Sequence, residues 1–428
     1  MATYPDSVRF LYSLGNEIRT AKLGLDRIAA LLAVLGHPER ACRFVHVAGT
    51  NGKGSVCAMT ESALRAAGLH TGLYISPHLV EPTERIQIGG RPVSETLFAA
   101  AFDQVHRVAE DMLRHEALDA HPTYFETVTA MAFVLFRDLG ADTVVLETGL
   151  GGRLDATNVV LPRLTAITPI DFDHERFLGY SLQAIAAEKA GILKPGIPAV
   201  FSRQRCEVLP VLEQRAAALG VPVTHTAALE IETLDVFPDG HHALVRGPRG
   251  PIRIECHLAG EHQVENGLTA AAILESLRLP ISAIERGIRA TRWPGRLETV
   301  STAPEIILDG AHNPAGIRSL AAYIRRFFSG RPVWIVYGAM RDKSLDEIAG
   351  LLAPLAERII LTNPNSDRAL RPEPLLAFFD HPAVETAPNV ETALTRAAAA
   401  PAGTGVFVTG SLLLVGEAKK ALAQPVSV

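Results

Sequence analysis

The stretch Phe44 to Ser55, FVHVAGTNGKGS, constrains this chain more than any other. An apolar run (Phe44, Val45, Val47, Ala48) ends in a glycine-rich turn, followed by Lys53 and the helical pattern CAMTESALRAAG, which closes at Gly68. That order predicts a strand, a phosphate loop and a helix. Glycines let the backbone wrap an anion, while the free N–H groups of the turn and the helix N-terminus supply positive potential. Lys53 adds a point charge suited to β and γ phosphates. In loops of this kind the Ser or Thr that reaches Mg²⁺ follows the lysine directly, whereas here Gly54 intervenes and Ser55 comes next. An ordinary glycine-rich strand-to-helix turn is the bland alternative, and the lysine between strand and helix argues against it.

Before this stretch, YPDSVRFLYSL and LDRIAALLAVLG read as helices that cover the sheet beginning at Phe44. After it, HTGLYIS (70–76) is a strand, 76–90 a loop with a short extended tail, and 94–116 and 124–139 are helices. DTVVLETGLGGRLDATN runs from a strand ending in Glu147 into another glycine-rich loop. LTAITPI (164–170), PAVFS (198–202) and PVTHT (222–226) are further strands, with helices at 181–196 and 206–219. This alternation predicts a mostly parallel sheet covered by helices. Residues 230–257 read as an antiparallel hairpin around PDGHH. The helix QVENGLTAAAILESLRL then precedes a Trp-Pro-Gly turn, where the domain boundary is set: 1–294 as a nucleotide-binding domain and 295–428 as a smaller, Rossmann-like α/β domain.

At 428 residues, two domains or three are expected, each able to bury a core. A formal net charge of -5 without any polybasic run argues against nucleic-acid binding. Cys42, Cys57, Cys206 and Cys256 lie far apart with no C-x-x-C pair, which fits a reducing compartment and suggests neither a zinc knuckle nor a disulfide framework. No run reaches the roughly 18 apolar residues of a membrane span. The N-terminus, broken by Asp6, Arg9, Glu17 and Arg19, lacks the core of a signal peptide. A cytoplasmic protein with no membrane partner is expected.

Parallel strands end on one edge of a sheet, so Ser76, Glu147, His174 and the phosphate loop converge there. Carboxylate, imidazole and hydroxyl groups beside a triphosphate suit Mg²⁺. A histidine after a strand is, on its own, more often a hydrogen-bonded loop residue. Lys189 sits within AIAAEKAGIL, where a buried ammonium is costly to desolvate. Either it snorkels to solvent or its charge is altered or paired in a site.

GTNGKGS, ISPHLVEPTERIQIGG, TYFE, LETGLGGRLDATN, ITPIDFDHERFLG, AAEKAGILKPG, HQVENGLTAA, WPGRLE, LDGAHNPAG and TGSLLLVGEA, in this order, resemble the folylpolyglutamate synthase/dihydrofolate synthase family of Mur-type ligases. The match runs from about residue 40 to 420. The resemblance implies a monomeric ATP-dependent ligase that joins L-glutamate to a pterin-bearing carboxylate. It implies that Gly49, Thr50, Asn51, Gly52, Lys53, Gly54 and Ser55 hold the triphosphate, with Asn266, Arg296 and Asp309 as further ATP contacts. Ser55, Ser76, Glu147 and His174 would hold Mg²⁺, as two ions, and Lys189 matches a lysine carbamylated in this family. Lys53, Glu147, His174 and Lys189 are the implied catalytic set. His312 and Ser411 match glutamate-binding positions, and Pro77, His78, Arg85, Phe125, Arg153 and Asp155 the pterin-binding region. TYFE leans toward the bifunctional bacterial type, acting on dihydropteroate and on folates.

The expected chemistry is attack of the acceptor carboxylate on the γ-phosphate, then capture of the acyl phosphate by glutamate's amine, with the Trp293 to Arg296 turn as hinge. Two rivals stand beside it. One is a Mur ligase acting on a UDP-muramyl peptide, against which SPHLVEPTERI and TYFE argue. The other is a nucleotide switch that hydrolyses ATP slowly, which predicts phosphate release independent of glutamate.

Overall fold

The computed structural model describes residues 2–15, 24–341 and 345–423. Its first sheet has eight strands: β1 (Arg43–Ala48), β2 (Thr71–Tyr74), β3 (Ile86–Ile88), β4 (Arg91–Pro92), β5 (Thr143–Glu147), β6 (Leu164–Ile167), β7 (Ala199–Phe201) and β8 (Val223–His225). Their order is β4-β3-β2-β5-β1-β6-β7-β8, with the pairs β4–β3 and β3–β2 antiparallel and the other neighbours parallel. β1 lies between β5 and β6, so the loops after these three strands open side by side. Register sharpens this: Val47 pairs with Glu147, and Ala48 with Ile167.

Nearly every residue of β1, β5 and β6 is buried, as a parallel strand covered on both faces requires. Alternation along β1 sends Phe44 to one core and Val45 and Val47 to the other. The Phe44 face is covered by α1 (Tyr4–Ser13) and α2 (Asp26–Val34), and by α4 (Glu95–Arg114) and α5 (Tyr124–Asp138). The opposite face meets α3 (Lys53–Ala66), which starts at the phosphate turn. Beyond it along the chain come α6 (Glu175–Leu178), α7 (Leu182–Lys189), α8 (Leu209–Ala218), α9 (His262–Ser276) and α10 (Ile281–Ala290).

Residues 230–257 depart from the expected hairpin. They form three antiparallel strands, β9 (Glu230–Phe237), β10 (Gly240–Gly247) and β11 (Gly250–Cys256), in the order β11-β10-β9. A second tight turn at Pro248 and Arg249 adds the extra strand. Ile252, Ile254 and Cys256 pack into the core shared with α3, α9 and α10, so this sheet is a third layer and not an edge ribbon. The α10 helix is a further addition, since the sequence reading passed from α9 to the Trp-Pro-Gly turn. Lys189 also shifts: it is the last residue of α7 and not in the middle of a helix.

The third sheet holds β12 (Glu298–Thr302), β13 (Glu305–Asp309), β14 (Val333–Tyr337), β15 (Arg358–Leu361), β16 (Val384–Thr386) and β17 (Gly405–Thr409). Their order is β12-β13-β17-β14-β15-β16, parallel except for β12. Helices α11 (Pro314–Phe327), α12 (Leu345–Leu352), α13 (Pro372–Leu375), α14 (Val390–Ala397) and α15 (Leu412–Ala423) complete this part. Its strands bury alternate residues on two faces, Ile335 and Tyr337 on one, Trp334 and Val336 on the other. Among the described residues no helix is long and apolar enough to cross a membrane.

Candidate active site

The turn after β1 is held open by its neighbours. Thr50 and Asn51 donate their N–H groups to the Pro169 carbonyl at 3.1 and 3.2 Å, and Thr50 Oγ1 donates to the Asp171 carbonyl at 3.0 Å. Gly49 has φ +150° and Gly52 φ +83°, backbone states that only glycine adopts without strain. A Cβ at 49 would lie 1.8 Å from Thr168 Oγ1, and one at 52 would lie 2.2 Å from Asn266 Oδ1. So α9 presses Asn266 against the turn, and Asn266 is itself fixed by donating to Gln263 Oε1 at 2.9 Å. Gly54 lies under the Trp293 ring, and Ser55 Oγ accepts from Gln263 Nε2 at 3.4 Å.

Two lysines meet at this turn. Lys53 Nζ donates to the carbonyls of Gly49 and Thr50, each at 3.1 Å, and Lys189 Nζ donates to the same Gly49 carbonyl at 2.6 Å. Lys189 is only 4% exposed, so it does not snorkel. Burial, with repulsion from Lys53, draws its pKa from 10.5 down to about 7, against the opposing pull of Asp173 and Asp155. Near neutral pH much of this group is therefore a free amine.

Beside them lies Glu147, buried at the end of β5, with Oε2 accepting from Ser76 N at 3.1 Å. Burial raises its pKa, and Lys53, the Ser76 N–H, Arg296 and Arg85 only partly offset that. A buried carboxylate short of positive charge, next to a turn built for phosphates, suits a divalent cation. Of the four expected Mg²⁺ ligands, Ser76 meets Glu147 through its backbone N–H, Ser55 Oγ accepts from Gln263 and His174 lies beside Asp173.

The C-terminal part closes over this edge. Asn313, at the N-cap of α11, donates to Asn51 Oδ1 at 3.1 Å and to Asp173 Oδ2 at 3.1 Å. His312 Nε2 lies 3.5 Å from Asp173 Oδ2, and His174 Nε2 lies 3.9 Å from Asp173 Oδ1. Asp173 thus stands between two imidazoles from different parts of the chain. His174 itself adopts φ +52° at the head of α6. Asp309 accepts from Leu297 N and Ala311 N at 3.0 and 3.1 Å, fixing the loop that carries His312, while Arg296 packs against Gly310. Because β13 and β17 are parallel neighbours, the loop of Ser411 emerges beside that of His312, and Gly410 N donates to Ala311 O at 3.0 Å. Ser411 Oγ accepts from Leu414 N at 3.1 Å, so in this structure it caps α15.

The expected pterin region divides. Pro77 and His78 lie in the loop after β2, where His78 Nδ1 accepts from Arg85 Nε at 2.8 Å. With that nitrogen accepting, Nε2 carries the proton and donates to Tyr12 Oη, 3.2 Å away. Burial, then the charge of Arg85, holds His78 neutral. The Arg85 guanidinium lies 5.0 Å from the Tyr124 ring centroid, and Phe125 covers Gly149. Together these form an aromatic and cationic wall beside Glu147. Arg153 instead pairs with Glu188 at 2.9 Å on the exposed side of α7. Asp155 is turned into its own loop: Oδ2 accepts from Gly149 N and Leu150 N, and Oδ1 from Thr157 N and Thr157 Oγ1.

Asp173 and Asn313 were quoted within their motifs but assigned no role by the sequence reading. Asn before Pro-Ala-Gly is a helix N-cap signal, yet nothing local shows that this cap reaches a residue 262 positions away.

Residues 47–274 match the Mur ligase middle domain family, and 295–412 the Mur ligase glutamate ligase domain family. A Halobacterium salinarum protein named probable bifunctional folylpolyglutamate synthase/dihydropteroate synthase is 36% identical over 97% of the chain. The chain spans about half the length of that relative, 51%. The dihydrofolate synthase/folylpolyglutamate synthase of Mycobacterium tuberculosis is 35% identical over 92% of the chain and 89% of its own length. Among solved structures, M. tuberculosis folylpolyglutamate synthase complexed with ADP and AMPPCP superimposes with a TM-score of 0.90 at 33% identity, covering 98% of this chain and 100% of that one. E. coli FolC in complex with DHPP and ADP gives 0.88 at 30% identity, covering 98% of each chain.

Proposed function

The chain belongs to the folylpolyglutamate synthase/dihydrofolate synthase family of Mur ligases, and on that premise we propose that it is an ATP-dependent ligase adding L-glutamate to dihydropteroate, to the glutamate tail of folates, or to both. The observation that carries this reading is the meeting of Lys53, Lys189 and Glu147 at one glycine turn, with Asn313 reaching that turn from the other domain.

A carboxylate does not condense with an amine until it is activated. In the proposed first step an acceptor carboxylate oxygen bonds to the γ-phosphorus of ATP, the β–γ bridging bond breaks, and ADP leaves. Lys53 and the N–H groups of residues 49–55 grip the triphosphate and offset the charge that builds on the transferring group. Mg²⁺, held by Ser55, Ser76, Glu147 and His174 as one ion or two, would neutralise phosphate oxygens when bound. Lys189, as a free amine, is poised to add to CO₂ and release a proton. The resulting carbamate would place a negative charge where the neutral amine stood, beside Lys53.

In the second step the neutral amine of glutamate attacks the acyl carbon, the bond to phosphate breaks, and the amine loses its proton. His312 and the Ser411 loop are the proposed seat of glutamate, and the wall of Tyr12, His78, Arg85, Tyr124 and Phe125 that of the pterin. Contact between the domains at the turn would keep water from hydrolysing the acyl phosphate, with residues 293–296 as hinge. A monomer is proposed, and four unpaired thiols support a reducing, cytoplasmic setting.

The test is ADP release with glutamate, offering dihydropteroate, tetrahydrofolate and a UDP-muramyl peptide in turn. Release that needs both glutamate and a pterin acceptor is expected. Release without glutamate would favour the switch, and release only with the UDP-muramyl peptide would favour the rival ligase.

A further inference from the structure

Far from the nucleotide turn in the sequence, α4 and the loop that follows it bring three metal-ligating side chains together. We propose that His106 Nδ1, Glu110 Oε1 and His121 Nε2 form a site for a divalent transition metal of the Zn²⁺ class.

His106 and Glu110 are four residues apart on α4 and so share one face of the helix. The chain then turns back and sets His121 opposite them. The three ligand atoms lie within 4.8 Å of one another, with Glu110 Oε1 4.0 Å from His106 Nδ1 and 3.8 Å from His121 Nε2. Ligands at tetrahedral angles about Zn²⁺, with bonds of about 2.0–2.1 Å, are roughly 3.4 Å apart. Closing the site therefore asks the half-exposed Glu110 side chain to move in by about half an ångström and the two imidazole nitrogens, which lie within 4.8 Å of each other, to close by at most about 1.4 Å.

Two further observations point to a ligand. His106 Nδ1 and His121 Nε2 are shielded from solvent and make no hydrogen bond. An orphaned buried polar atom is costly, so two facing one carboxylate are an unusual arrangement unless something joins them. Also, His121 Nδ1 lies 2.8 Å from the Pro122 carbonyl, to which it donates its proton. That fixes the tautomer and leaves the Nε2 lone pair aimed into the cluster, as the outer partner of a metal-bound histidine does.

The setting fits as well. Phe10 lies 4.3 Å from His106 and 5.4 Å from His121 between ring centroids, and Phe102 stacks on His106 at 5.2 Å, giving an apolar wall on one side. Glu110 leaves the other side open to water. Two imidazoles and one carboxylate favour Zn²⁺, Co²⁺ or Ni²⁺ over Mg²⁺, which separates this site chemically from the oxygen-rich one at Glu147. A bound ion would tie α4 to the segment leading into α5, whose first turn carries Tyr124 and Phe125.

The full chain, stripped with a chelator, is equilibrated with Zn²⁺ in the presence of excess Mg²⁺, desalted, and its metal content measured. One equivalent of retained zinc is expected. The His106→Ala/His121→Ala double variant should lose it, and Glu147→Gln should keep it. In the stripped state the double variant should start from a lower unfolding midpoint, because two packed imidazoles are gone, and added Zn²⁺ should raise the midpoint of the parent while leaving that of the variant where it was. Co²⁺ in place of Zn²⁺ should give visible d–d bands without a thiolate charge-transfer band. No retained zinc, zinc retained by the double variant, or a thiolate band would each overturn the assignment. Because zinc retention is read without turnover, its failure is distinct from failure of the proposed ligase activity.

Discussion

Replacing Lys189 with methionine should abolish ligation and, at the same time, flatten the dependence of stability on pH. The side chain lies buried at the end of α7, and its pKa falls from 10.5 to about 7. At about 1.36 kcal/mol for each tenfold change in proton affinity, keeping this ammonium in the fold costs on the order of 5 kcal/mol. The unfolded chain holds the proton up to its ordinary value, whereas the folded chain releases it above about pH 7. Across that window the unfolded state binds more protons, so parental stability rises with pH. Methionine keeps the shape without the charge. Its loss of the hydrogen bond to Gly49 O is a constant offset of about 1 kcal/mol. The variant's advantage over the parent should be greatest below pH 7 and shrink by about 1.4 kcal/mol for each pH unit above it. Urea unfolding of both proteins in CO₂-free buffer, in steps from about pH 6.5 to about pH 9.5, reads this difference directly. Parallel profiles would refute the reasoning, because they would mean that the ammonium is as well solvated in the fold as outside it.

Gly52→Ala should raise the KM for ATP at least about tenfold, equivalent to about 1.4 kcal/mol, because its Cβ would strike Asn266 Oδ1 and its φ of +83° disfavours alanine. Steady-state kinetics at varied ATP check this, and an unchanged KM would detach Asn266 from the nucleotide site. Asp155→Asn should destabilise the fold by about 2–6 kcal/mol, since an amide NH₂ facing two of the four donors leaves at least two groups unpaired at about 1–3 kcal/mol each. A drop in the unfolding midpoint with little change in acceptor KM would mark Asp155 as a holder of its loop, whereas a raised acceptor KM at unchanged stability would return it to the pterin region.

The nucleotide half was legible because β1, β5 and β6 are short, almost wholly buried and mostly apolar runs, β1 leading into Gly49 and β5 ending in Glu147, as strands of a doubly covered parallel sheet do. Edge elements were not. The strands β12 and β16, ETVST and VET, are polar and half exposed, so they lack the apolar signal that marked their neighbours. The α10 helix carries Gly287, two arginines and a glutamate in ten residues, yet its buried Ala283, Ile284, Gly287 and Ile288 recur at helical spacing, a pattern that was present to be read. At the proposed site, strand ends put the phosphate turn and Glu147 side by side, and the buried state of Lys189 follows one of the two readings its neighbours left open. What no local pattern contains is the meeting of Asp173 with His312 and Asn313, since that depends on how two sheets are set against each other.

The paired amides of Asn51 and Asn313 exchange hydrogen bonds in both directions, 3.1 Å one way and 3.4 Å the other. Two antiparallel bonds between planar groups resist twisting as well as pulling, so this clasp senses the angle between the lobes and not merely their separation. One of its halves belongs to the very turn proposed to cradle the nucleotide tail. In the proposed reaction, a product that tilts that turn on leaving would also unfasten the clasp, so Asn51 and Asn313 would link nucleotide release to the angle between the lobes.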